Sequence, residues 1–191
     1  DKGYAVSSAG TTAVWATENT REAIFDAMKS KETYGTSGTL IRLRFFGGWG
    51  LDEDLVNDPE FVKKAYDQGV PMGQDLKEKP SGAKAPTFAV WAMKDPESGN
   101  LDRIQIIKVW ADPDTKYARE KIYDVVWSDD REPDSETGQL PAVGNTVNVK
   151  NATYKNSIGD SQLSAVWTDP DFDPDMKAIY YVRVLEIPTP R

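Results

Sequence analysis

DRIQIIKVWADPDTKYAREKIYDVVWS, residues 102–128, holds two runs rich in β-branched and aromatic residues, 102–111 and 120–128, separated by the turn-former ADPDT. Such runs bounded by Pro and Asp read as β-strands. Similar runs lie on both sides: TFAVWAM (87–93), GNTVNVK (144–150), SQLSAVWTD (161–169) and AIYYVRVLEI (178–187). The connections DPESGN, DDREPDSETGQLP and DPDFDPD carry turn chemistry. Six or seven strands over roughly a hundred residues predict a mainly β chain, an immunoglobulin- or fibronectin-like β-sandwich. Within YYVRV (180–184), Tyr180 or Tyr181 is expected to hold a nearby turn through its hydroxyl. Trp91, Trp110, Trp127 and Trp167 each lie near a strand end, and core packing is the expected role.

Upstream the period changes. Residues 20–31 predict one helix, with Thr20 or Asn19 as N-cap and Glu22 placed for a capping box with Asn19. Ala23, Ile24, Ala27 and Met28 share its inward face at about 100° per residue, and Phe25 falls outside that face. Gly35 and Gly38 then interrupt the chain, and LIRLRFF (40–46) reads as a strand before the GGWG turn. A second, inserted helix is predicted over 58–68, with Asp58 as cap, Pro59 in its first turn and Gly69 as stop. Residues 69–86 form a long loop.

Composition excludes several kinds of chemistry. The chain has 191 residues, no cysteine, no histidine and a formal charge of −8. It can form no disulfide and no thiolate site, and no Ser-His-Asp triad. The acidic balance argues against nucleic acid and anionic membranes as partners. No apolar run is long enough to span a bilayer as a helix, and DKGYAVSSAG at the start lacks a signal-peptide pattern. In TDPDFDPD, Asp169, Asp171, Asp173 and Asp175 alternate and are weak calcium candidates. The EF-hand pattern fails, with no glycine at its sixth position and no glutamate at its twelfth, so a solvated turn is the better reading. No cofactor is expected. The sequon Asn151-Ala152-Thr153 reads as a chance match, and no spacing selects a carboxylate pair of glycosidase type.

Several blocks carry a resemblance: VWATENTREAIFDAMKSKETYGTSG, RFFGGW, APTFAVWAMKDPESGNLDRIQIIK, LPAVGNTV and AVWTDPDFDPDMKAIYYVRVLEIPTPR. Over nearly its whole length the chain resembles the C-terminal portion of the bacterial domain-of-unknown-function family 3604. It departs from that pattern at Gly35, where alanine stands, and at Gln74, where glycine stands. The resemblance implies a PHP-superfamily-like parent, with a metal-dependent barrel upstream and a β-sandwich after it. On that reading residues 1–39 are the tail of the barrel and 40–191 the sandwich. The partner is the upstream barrel of the same polypeptide, and Phe25 is the interface candidate. The family's metal ligands are histidines and carboxylates of the upstream barrel, so none carries over to a position here. The resemblance implies a bacterial source and leaves the compartment unknown, with a periplasmic or secreted location among the alternatives. The expected function is a non-catalytic module of a larger hydrolase. A stand-alone carboxylate enzyme and a structural spacer are the alternatives.

Overall fold

The computed structural model describes residues 10–190. The leader reading of residues 1–9 lies outside the described residues. Contacts divide the chain into two units: residues up to Trp91 with Val166–Thr168, and Ala92–Ala165 with Asp169–Pro190. The chain is mainly β, as expected, with two α-helices among the described residues.

In the first unit, β1 (Thr11–Val14) pairs antiparallel with β2 (Thr33–Thr36), Thr11 opposite Thr36. The sequence reading assigned no strand to these residues and took Gly35 as a break. Gly35 instead sits within the ladder opposite Thr12. Helix α1 (Arg21–Lys29) joins the two strands, a turn shorter than expected. Thr20 is its cap: the Ala23 N–H donates to Thr20 Oγ1 at 3.3 Å. Ala27 is buried, but Met28 is exposed, so the inward face is narrower than predicted. Helical period says which residues share a side, not how far the cover extends around the axis.

A four-stranded sheet runs in the order β4-β3-β5-β8, with β3 Arg42–Gly48, β4 Val70–Pro71, β5 Thr87–Met93 and β8 Gln162–Thr168. The ends of β5 and β8, from Ala92 and up to Ala165, count with the second unit. After β3 come a short 3-10 helix (Leu55–Asn57) and α2 (Phe61–Gln68). Asp58 is not the cap of α2. Its Oδ1 accepts from the Glu60 N–H at 2.7 Å, an Asx turn ahead of the helix, and its Oδ2 accepts from Lys64. Phe46, Leu51, Leu55, Phe61, Ala65 and Ala89 form this unit's apolar core. Gly69 does end α2, for a steric reason: a Cβ there would stand 2.5 Å from the Gly47 carbonyl oxygen.

The second unit is built on β6 (Leu101–Ala111), flanked antiparallel by β7 (Ala118–Trp127) and β9 (Ala178–Glu186). Ile104, Ile106 and Ile107 are fully buried, so the central strand is covered on both faces. A bulge at Ile104/Gln105 shifts the register against β7. The strand expected at 144–150 does not form; only an isolated bridge joins Asn148 to Thr153. Local bonds satisfy the backbone there instead. Asn145 Oδ1 accepts from the Val147 N–H, and Thr146 Oγ1 donates to the Lys155 carbonyl. Such side-chain bonds compete with strand pairing. The four strand-end tryptophans are partly buried; Trp91 packs against the core, as expected, and Trp167 stacks on the buried Phe88.

Candidate functional site

The first unit carries an open groove of about 670 Å³. Its cationic wall starts from alternation along β3. Phe46 points under α2, with its ring 5.7 Å from Phe61 and 5.0 Å from Tyr66, both edge-on. Arg44, two residues earlier, shares that strand face. Its guanidinium lies 3.4 Å over the Trp15 ring. Trp15 is itself fixed, because its indole N–H donates to the Leu43 carbonyl at 2.7 Å. Arg44 Nη1 donates to the Tyr66 hydroxyl at 3.4 Å, and that hydroxyl donates to Glu32. Burial lowers the Arg44 pKa, as desolvation disfavours the charged form. The other wall is apolar: Val56, Phe61, Val62 and Trp91. Two acids line the rim. Asp58 pairs with Lys64, and Glu60 lies 3.5 Å from Lys63.

The acidic run between β8 and β9 belongs to the second unit. Cross-strand register places Lys121 and Tyr180 on either side of Lys108. Lys108 donates to Asp169 Oδ2 at 2.7 Å and to the Asp171 carbonyl at 2.6 Å. The Lys108 and Asp169 side chains are 2% and 0% exposed. Asp169 also accepts from the Tyr180 hydroxyl at 2.6 Å and from the Asp171 N–H at 2.9 Å. Tyr180 thus tethers a turn as expected, though through a carboxylate, and Tyr181 is exposed. Asp171 accepts from Lys121 and Tyr123, each at 2.6 Å. Burial first, and then the bond to a carboxylate, pushes both tyrosine hydroxyls up. Asp173 and Asp175 are exposed, and Asp173 Oδ1 accepts from the Asp175 N–H at 2.9 Å. The four aspartates therefore do not converge on one point. Asp169 anchors the loop, Asp171 straps it to β7, and the other two face outward.

Lys108 was not singled out in the sequence, although one cation within IIKVW was the available signal. Arg131 was missed as well. It donates to Asp102 Oδ1 at 2.7 Å, to the Asp102 carbonyl at 2.9 Å and to the Pro141 carbonyl at 3.0 Å. It closes the loop after β7 as Lys108 closes the loop after β8.

The interface candidate Phe25 is 64% exposed and Met28 55% exposed. On α1 they are three residues apart and so share one side, next to Ile24. The metal centre implied for a PHP-like parent needs histidine nitrogen, which this chain does not contain. Among the described residues no three Asp or Glu side chains are grouped to hold an ion. The residues here do not fit such a centre.

A family model described as "Protein of unknown function (DUF3604)" matches residues 1–191. The chain belongs to that family. No curated protein and no solved structure matches it. Membership in DUF3604 accounts for the length of the resembling blocks, which run from Val14 to Arg191.

Proposed function

We propose that this DUF3604 chain is a non-catalytic, immunoglobulin-like β-sandwich module of a larger bacterial, PHP-like, metal-dependent hydrolase. Its partner is the upstream barrel of the same polypeptide, and residues 1–39 form the tail of that barrel. The observation carrying this reading is the exposed pair Phe25 and Met28 on α1. Ala27 faces inward on the same helix. A helix with apolar residues on its inner and outer sides has a second surface to cover. Donor chemistry supports the division of labour: the nitrogen ligands of a PHP-type centre must come from outside a chain without histidine. The 69–86 segment, read as all loop, gives Val70–Pro71 to β4; its remainder, 72–86, then shapes the mouth of the barrel's site.

The test compares this chain with the longer polypeptide encoded around it. Hydroxyl-radical footprinting reads the oxidation of Met28 and Phe25 in each. The reading expects both side chains to be protected several-fold in the longer form. Equal oxidation in the two forms would refute it.

A further inference from the structure

We infer that the groove of the first unit is a binding site for a small carboxylate with a flat apolar body. This inference is independent of the partner proposed above. It starts from an imbalance at Arg44. A guanidinium offers five N–H donors in a planar fork. Among the described residues the side-chain acceptor Arg44 reaches is the Tyr66 hydroxyl, at 3.4 Å, and it takes part in no ion pair. The group is nevertheless partly withdrawn from water, and desolvation lowers its pKa. The Glu32 charge, acting from beyond Tyr66, offsets this desolvation only in part, since the pKa still falls, and an arriving anion offsets the rest.

The acids nearby do not already fill this role. Glu32 meets the Tyr66 hydroxyl, which stands between it and the guanidinium. Asp58 pairs with Lys64 and Glu60 with Lys63. The guanidinium is also preset. Trp15 covers one face of it, and the Leu43 carbonyl fixes Trp15. Such a stacked fork suits the two oxygens of a carboxylate. Trp91, Val62 and Val56 also line the groove, a partly exposed apolar surface for a ring to lie against. The volume of about 670 Å³ falls among ordinary ligand sites. One unpaired cation beside two paired acids favours a monoanion over a phosphate dianion.

Phenylacetate, phenylacetamide and phenethylamine present one ring with an anionic, a neutral and a cationic tail. Each is titrated into the 191-residue chain and followed by NMR at the Trp15 and Trp91 indole N–H and the Arg44 Nε–H. Phenylacetate should give saturable shifts at all three, with the amide at least about tenfold weaker and the amine weaker still. This comparison uses the unaltered chain, so it does not depend on any variant folding. Arg44→Gln should abolish the phenylacetate response, and Lys150→Gln, an equal change of charge at an exposed lysine outside the groove, should leave it within about twofold. Equal binding of acid and amide, no saturable shift with phenylacetate, or retention of the response on Arg44→Gln would each overturn the assignment.

Discussion

Lys108 and Asp169 form an ion pair almost wholly withdrawn from water. Breaking one side of a buried pair costs far more than the pair itself contributes, because the remaining charge is stranded. Lys108→Met is therefore expected to cost about 3–5 kcal/mol in urea unfolding. Adding Asp169→Leu should recover much of that loss, since an apolar replacement of both partners is often neutral. A double variant worse than Lys108→Met alone would show that Asp169 acts mainly through Tyr180 and the loop backbone. Asp171 differs because it is exposed. The bond from Lys121 first, then that from Tyr123, holds its pKa below the usual carboxylate range. A depressed folded pKa contributes stability that is present above the unfolded value, about 3.9. That contribution is lost as pH falls through the folded value. Carboxyl NMR should thus find Asp171 still ionised below about pH 3.9, the ordinary value for an aspartate. Asp112 should stay charged down to a pH of about 2, held by the Thr115 N–H and by Arg119. None of these partners was legible in the sequence. Lys108 and Asp169 are 61 positions apart, and only the strand register brings them together.

Helix α1 shows what a periodic pattern tells and where it stops. Its existence, its Thr20 cap and the greater exposure of Phe25 than Ile24 all follow from spacing. The exposure of Met28 does not, because the width of the covered arc depends on what packs against it. Phe25→Ser should change this chain's stability by less than about 1 kcal/mol, as surface substitutions do. Thr20→Ala should cost about 1 kcal/mol through the lost cap, and Ile24→Ala, partly buried, about 1–2 kcal/mol. Thermal unfolding ranks the three, and a larger loss at Phe25 than at Ile24 would reverse the assignment of faces. Strands behave in the same way. β5, β6, β7, β8 and β9 were legible because their β-branched and aromatic runs are long and bounded by turns. The 144–150 run has similar residues but no neighbouring strand, so propensity without a partner yields a loop. β1 and β2 were missed for the converse reason: TTAV and TYGT are only four residues each, too short to show a period, and the pairing itself makes them strands.

At the scale of the whole molecule, the sequence establishes which chemistry this chain lacks more firmly than which it performs. A chain without histidine or cysteine offers a hard metal ion carboxylate, carbonyl and hydroxyl oxygen, beside lysine nitrogen and the thioether sulfur of four methionines. Oxygen-only sites suit calcium and magnesium, and they require several ligands converging on one point. The acidic run looked like such a supply, but its members are committed in different directions. Asp169 is neutralised by Lys108, and Asp171 by Lys121. For calcium to recruit Asp169 it would have to strand Lys108 in the interior, at a cost comparable to that of Lys108→Met. Calorimetry should therefore find calcium binding no tighter than about millimolar, a free energy near −4 kcal/mol. The same reasoning reaches catalysis. A PHP-type centre works by holding its ions with histidine and carboxylate together, and half of that donor set is missing from this chain. The isolated 191-residue chain should show no phosphoester turnover dependent on manganese or zinc. The longer polypeptide should show it, if the module reading is right. Turnover by the isolated chain that disappears on chelation and returns with metal would place a complete centre within these residues. That result would defeat both the division of labour and the claim that the acidic loop is a strap held by its own lysines.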